Sequence, residues 1–169
     1  MMFTYYNVLF VDDEPMLLKS VNRSLMDEDY TVFTAESGAT ALALMEDEDI
    51  DMVVSDQNMP GMSGLTFLEK VKIDYPHILT IMMTAHSDIQ IAVKAINEAG
   101  VYKFILKPFE VEDLKITIRR GLETLQLIKE RDTLLQQVKA RDAILKGLEK
   151  EHPGITQVER DADGFIVLS

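Results

Sequence analysis

Within the first 120 residues, short apolar runs alternate five times with segments of helical period, and that alternation leaves few folds open. The runs lie near residues 7–11, 30–35, 51–55, 78–84 and 101–106. Turn-forming signals fall in the gaps: Ser37-Gly38, Pro60-Gly61, Ser63-Gly64, Tyr75-Pro76 and Gly100. Between the runs, Leu17, Val21 and Leu25 share one helix face, and Leu42 and Met45 share a second. Leu65, Leu68 and Val71 share a third, and Ile89, Val93 and Ile96 line the apolar face of a fourth, which Gly100 closes as a C-cap. Strands that are apolar along their whole length predict a parallel sheet covered on both faces. Right-handed crossovers then leave few topologies. Lys103, read in the middle of the fifth strand, suits an edge, and the first and third strands are the most apolar. The expected architecture is a doubly wound α/β fold with five parallel strands in the order 2-1-3-4-5, which places a ligand crevice at the carboxyl ends of strands one and three.

The ends of those runs carry the chemistry. Asp12 and Asp13 follow the first run, and Asp56 follows the third. Thr84 closes the fourth, and Lys107, followed by Pro108, closes the fifth. Singly, each has an ordinary reading. Adjacent acids cap a helix, a lone Asp makes a turn, and a Lys-Pro pair signifies nothing. Together, at successive strand ends, they converge on one edge of one sheet. Three carboxylates gathered there repel each other and raise each other's pKa unless a cation joins them. A hard divalent ion that keeps several waters, Mg²⁺ or Mn²⁺, suits such an all-oxygen set. It would neutralise incoming phosphoryl oxygens and leave Asp56 as a nucleophile. Lys107 can supply a second positive charge, and Thr84 a hydroxyl donor, in a reaction that needs mainly positioning and charge stabilisation.

Beyond Lys107-Pro108, helical period begins near Glu110 and runs without a strong breaker to about Glu151, with Gly121 and Gly147 as weak points. About 40 helical residues span roughly 60 Å, more than a small domain can cover. Val111, Leu114 and Ile118 can lie on the sheet. From there a heptad register puts Thr124, Arg131, Val138 and Leu145 at one core position and Leu127, Leu134, Arg141 and Leu148 at the other. The pattern predicts a two-stranded coiled coil and hence a homodimer; a charged helical linker is the alternative. His152-Pro153-Gly154 ends the helix, and the runs 155–160 and 165–168 around Asp161-Ala162-Asp163-Gly164 read as a β-hairpin. Asp161-x-Asp163-Gly164 lacks the further ligands of a calcium loop. The expected organisation is a domain over 1–121, an extended helix over 122–151, and a hairpin or the start of an output region over 152–169.

The net charge of −12 argues against nucleic acid as a direct partner, because phosphate contacts need clustered Lys and Arg. Zero cysteines exclude disulfides, thiol catalysis and thiolate metal sites. No apolar run approaches the 18 or so residues of a membrane span, and Met1–Tyr6 lacks a signal-peptide layout, so the cytoplasm is the expected location.

Four motifs taken together resemble a known family: Val11-Asp12-Asp13-Glu14-Pro15, Ser55-Asp56-Gln57-Asn58-Met59-Pro60-Gly61-Met62-Ser63-Gly64, Thr84-Ala85 and Lys107-Pro108-Phe109. Over about residues 5–125 the chain resembles the receiver domain of two-component response regulators, similar to chemotaxis regulators and flavodoxin-like in fold. The resemblance implies that Asp56 is the phosphoacceptor, and that a sensor histidine kinase or phosphotransfer protein is the donor. It implies Mg²⁺ held by Asp13, Asp56 and the backbone carbonyl of Asn58, with Asp12 acting partly through water. It implies that Thr84 and Lys107 contact the phosphoryl group, that Phe104 is an aromatic switch, and that the Lys107-Pro108 bond is cis. Asn58 and His86, two residues past the acceptor and the threonine, are candidate modulators of phosphate lifetime. Such a domain would be regulatory, catalysing only its own phosphorylation and dephosphorylation.

Two alternatives stay open. The segment could join an effector beyond residue 169, such as a cyclic-dinucleotide hydrolase, at which the Asp56-Gln57-x-Met59-Pro60-Gly61-Met62 loop faintly hints. The chain could instead be an aspartyl-phosphate phosphohydrolase, a reading weakened because Asp12 and Asp13 are adjacent where the haloacid-dehalogenase pattern needs Asp-x-Asp.

Overall fold

The computed structural model describes residues 5–156. Five strands, β1 (Tyr6–Val11), β2 (Tyr30–Ala35), β3 (Met52–Asp56), β4 (Leu79–Ala85) and β5 (Lys103–Lys107), form one parallel sheet in the order β2-β1-β3-β4-β5. They alternate with α1 (Pro15–Ser24), α2 (Gly38–Asp47), α3 (Gly64–Asp74), α4 (Ile89–Glu98) and α5 (Val111–Glu151). The strands are apolar along their length because both faces are covered, yet successive side chains enter different cores. Val8, Phe10, Met52, Val54, Ile81 and Met83 pack with α1 and the start of α5. Leu9, Val11, Val53 and Met82 pack with α2, α3 and α4.

The chain divides into two compact units, Met1–Leu125 and Gln126–Ser169. In the first, Leu114, Ile118, Leu122 and Leu125 of α5 are buried at helical spacing. Gly121 sits among them, and a Cβ there would meet Met52 Cε at 2.6 Å and Leu79 Cδ2 at 3.0 Å. The glycine that weakens the helix by propensity therefore lets it approach the sheet. In the second unit α5 continues to Glu151, and the Glu149 carboxylate accepts from Gly154 N at 2.7 Å and Thr156 N at 3.1 Å, closing the turn after the helix. The runs expected to form the terminal hairpin lie outside the described residues, save Ile155 and Thr156, which belong to that turn. Among the described residues no helix is long and apolar enough to cross a membrane.

Three local expectations need correction. The stripe Ile89, Val93 and Ile96 is exposed, and α4 instead buries Ala92 and Ala95. Small side chains let α4 lie close to the sheet, so the larger aliphatics turn outward. Ser37-Gly38 and Ser63-Gly64 are helix starts: each serine hydroxyl accepts from the backbone N–H three residues on, at Thr40 and Thr66. Lys103 is the first residue of β5, exposed, while β5 is the sheet edge as expected.

Tyr30 opens β2 with a buried hydroxyl that has no hydrogen-bond partner among the described residues. Burial, with the nearby Glu28 charge, pushes its phenol above the ordinary range, against the Arg119 charge. Tyr30→Phe is expected to stabilise the domain by roughly 0.5–1 kcal/mol at pH 7, since it removes an unsatisfied buried group. Because the folded-state pKa is the higher, the unfolded chain releases the proton first as pH rises past about 10, and the wild type loses stability there. Thermal melts of both proteins at pH 7 and about 10.5 check this; the gap should widen at the higher pH.

Candidate functional site

Strand register gathers the residues. Val11 pairs with Ser55, so Asp12 and Asp56 leave adjacent strands side by side. Asp56 pairs with Met83, Thr84 with Leu106, and Ala85 with Lys107. Asp12, Asp13 and Asp56 each offer a carboxylate oxygen, and these lie within 4.8 Å of one another. Asp12 and Asp56 are buried, while Asp13 is exposed. Asp12 also serves the local role open to it, since its Oδ1 accepts from Glu14 N at 2.9 Å where α1 begins.

The positive charge comes from the far side of the sheet order. Lys107 Nζ donates to Asp12 Oδ2 at 2.6 Å and lies 3.1 Å from Asp56 Oδ1. Burial pulls the ammonium down, but the hydrogen bonds and charges of both carboxylates outweigh it and hold Lys107 above its ordinary value. Burial pushes the Asp56 carboxyl up, aided by the Asp12 charge, and the bond and charge of Lys107 offset this only partly. The Lys107-Pro108 peptide bond is cis. One ammonium against three carboxylates leaves the cluster short of positive charge. Its all-oxygen donors and its opening at Asp13 fit a hard divalent cation that keeps waters.

The loop after Asp56 is held by contacts that sequence reasoning missed. Gln57 N donates to Met83 O, Gly64 N donates to Gln57 O, and Leu65 N donates to the Gln57 side-chain oxygen, each at 2.9 Å. A Cβ on Gly64 would stand 2.1 Å from the Asp56 carbonyl oxygen. The start of α3 is thus pressed against the backbone of Asp56. The available signal was a glycine at the first helical position directly after a serine cap.

The remaining predicted residues ring this cluster. Thr84 is fully buried, and its hydroxyl donates to Ala85 O at 3.5 Å, with no bond to Asp56 or Lys107 among the described residues. Asn58 is exposed, and its amide donates to Asp88 Oδ2 at 2.7 Å, tying the loop after β3 to the 3-10 turn His86–Asp88 after β4. His86 is exposed at the start of that turn. Phe104 is half-buried, packs against the core beneath α2–α4, and lines a cavity of about 570 Å³ with Ile96 and Tyr102.

The family model for the response regulator receiver domain matches residues 8–119. The hydrogenase transcriptional regulatory protein HoxA of Cupriavidus necator is 36% identical over 116 residues, 69% of this chain and 24% of that protein. A structure of adenylate cyclase from Rhodopirellula baltica superposes with a TM-score of 0.75 at 32% identity, covering 79% of this chain and 98% of that one. NtrX from Brucella abortus, in complex with ADP, superposes with a TM-score of 0.73 at 34% identity, covering 78% of this chain and 30% of that one. The chain spans about a quarter of the length of the curated relatives it matches.

Proposed function

The chain belongs to the response regulator receiver domain family, and from that premise we propose that Asp56 accepts a phosphoryl group from a sensor histidine kinase or phosphotransfer protein. The observation that carries this is the Lys107 ammonium bridging Asp12 and Asp56 beside the open Asp13 carboxylate. Asp12, Asp13, Asp56 and the Asn58 carbonyl are the groups to hold Mg²⁺ or Mn²⁺, which when bound would neutralise charge on the phosphoryl oxygens.

The chain's residues supply the rest. An Asp56 carboxylate oxygen attacks phosphorus in line, forming an O–P bond as the P–N bond of a phosphohistidine, or the P–O bond of an acyl phosphate, breaks. The leaving imidazole or carboxylate keeps the bonding pair. Lys107, already 3.1 Å from Asp56, can transfer a hydrogen bond to a phosphoryl oxygen with little movement. Thr84 holds its hydroxyl proton in a weak local contact and can redirect it to another oxygen. Its movement would open space for Phe104 to turn inward, repacking the face of α4, β5 and α5. The added charge, roughly −1.5 to −2, biases that equilibrium. Residues 1–121 are the receiver in this reading, and 122–151 the signalling helix. The domain is regulatory and works in the cytoplasm with its donor. Its output passes through protein contacts, and the acidic chain makes no direct nucleic-acid contact. The phosphohydrolase alternative finds no support in a site whose acids are adjacent and which, among the described elements, has no inserted cap.

Intact mass after incubation with acetyl phosphate and Mg²⁺ tests the proposal. One phosphoryl group per chain is expected, and none once EDTA has removed the metal. Uptake that persists in EDTA would refute the metal's role. No uptake from either acetyl phosphate or a phosphohistidine donor would refute the acceptor assignment.

A further inference from the structure

The second compact unit presents a helix whose residues 129–148 are all exposed, with large aliphatic side chains among them. Leu127, Leu134, Val138, Leu145 and Leu148 recur at spacings of seven, four, seven and three, which aligns them in one stripe along α5. Leu134 is 60% and Val138 53% exposed, so no described residue covers the middle of that stripe. In proteins most of a helix's stability comes from tertiary packing of its apolar face.

Two arginines interrupt the stripe, and they say what covers it. Arg131 and Arg141 fall at core positions. In a parallel, in-register pair of helices, the first core position packs against the preceding flanking residue of the partner, and the second against the following one. Glu130 occupies the first of these flanking sites and Asp142 the second. Each arginine can therefore reach a carboxylate across the interface while its stem lies along the apolar stripe. In the single chain, Arg131 instead turns to its own neighbour Asp132, at 2.7 Å. The seam carries Val138 and Leu145 at the first core position and three leucines, Leu127, Leu134 and Leu148, at the second, while Thr124, half-buried with its hydroxyl 3.4 Å from that of Tyr102, belongs to the first unit. A β-branched Val138 among leucines at the second position, with charged residues at core positions that each call for one partner acid, favours two strands.

We infer that residues 127–151 form a parallel two-stranded coiled coil with a second copy of this chain, with Arg131 paired to the partner copy's acid at position 130 and Arg141 to that at 142. The inference stands apart from the phosphoacceptor assignment. A dimer held here delivers whatever follows Glu151 as a side-by-side pair, the geometry a two-fold symmetric output requires.

The test is sedimentation of the full chain, with and without substitutions. The wild type should sediment at twice the chain mass at micromolar concentration. Leu134→Glu should weaken association at least about a hundredfold. Arg131→Glu, which faces acid with acid, should weaken it about tenfold or more, and adding Glu130→Arg should restore it. The chain lacks cysteine, so Leu148→Cys supplies one thiol; a parallel pair cross-links through it under oxidation, and an antiparallel pair, which sets the two 148 positions at opposite ends of the seam, does not. Acetyl phosphate uptake by Leu134→Glu should match the wild type, which shows that the receiver is folded. A wild type still monomeric at about 100 µM, an assembly larger than two, a Leu134→Glu dimer, or no cross-link would each overturn the inference.

Discussion

Asp56→Asn is expected to take up no phosphoryl group under conditions where the wild type gains one, a loss of at least about a thousandfold in rate. An amide nitrogen or oxygen cannot replace the carboxylate as nucleophile, and Asp12, beside it, is tied to Lys107 Nζ at 2.6 Å and to Glu14 N at 2.9 Å. Intact mass over a time course measures this, and modification of the variant at the wild-type rate would move the acceptor elsewhere. The same substitution should raise stability at pH 7 in chelator. Burial pushes the Asp56 carboxyl above its ordinary value, so ionising it costs the folded state more than the unfolded one. The sign follows from that: stability falls as pH climbs from the ordinary aspartate range through the raised value, and the loss is complete above it. The variant's thermal midpoint should therefore exceed the wild type's at pH 7. The gap should close on acidification, when the wild-type carboxyl is protonated too. Mg²⁺ should narrow it from the other side by stabilising the wild type.

Gly64→Ala carries the second large effect. The added Cβ would meet three backbone atoms: Asp56 O at 2.1 Å, Gln57 Cα at 2.8 Å and Asp56 C at 2.9 Å. None is the end of a side chain that can swing away, so α3 must slide or Asp56 must move. A cost of about 3 kcal/mol is expected, from overpacking of a tight contact. If Asp56 is the nucleophile as proposed, phosphoryl uptake should slow at least about tenfold, because displacing it spoils its alignment. Gly61→Ala is the control. Gly61 has φ +82° but nothing within 4 Å of a built Cβ, so only backbone strain of about 1 kcal/mol is expected. Equal melts and equal uptake rates for the two variants would rule out the close approach at Gly64.

The strands were legible because burial on both faces writes a continuous apolar run, and each run ends where polarity returns. Such patterns are local: the run Asn7–Val11 and the acids behind it lie within a few residues of each other. Helix α4 turns the other way from its larger apolar face for a reason that local pattern does not carry. Ile89, Val93 and Ile96 form the larger apolar face, and periodicity alone cannot tell it from the face of Ala92 and Ala95 that the sheet selects. Gly64 and Gly121 were equally opaque, since each answers to atoms far away in the chain or across the sheet.

Element order, sheet topology and the identity of the acids, threonine and lysine at the strand ends are written in the chain itself. They follow from period, polarity and the handedness of parallel crossovers. Packing in three dimensions settles the rest: Lys107 bridges Asp12 and Asp56, the Thr84 hydroxyl stays in a local contact, and α3 is seated against the Asp56 carbonyl. Those facts depend on distances between residues as much as 95 positions apart. Such distances exist once packing has fixed which face each helix turns to the sheet, and no local pattern encodes them.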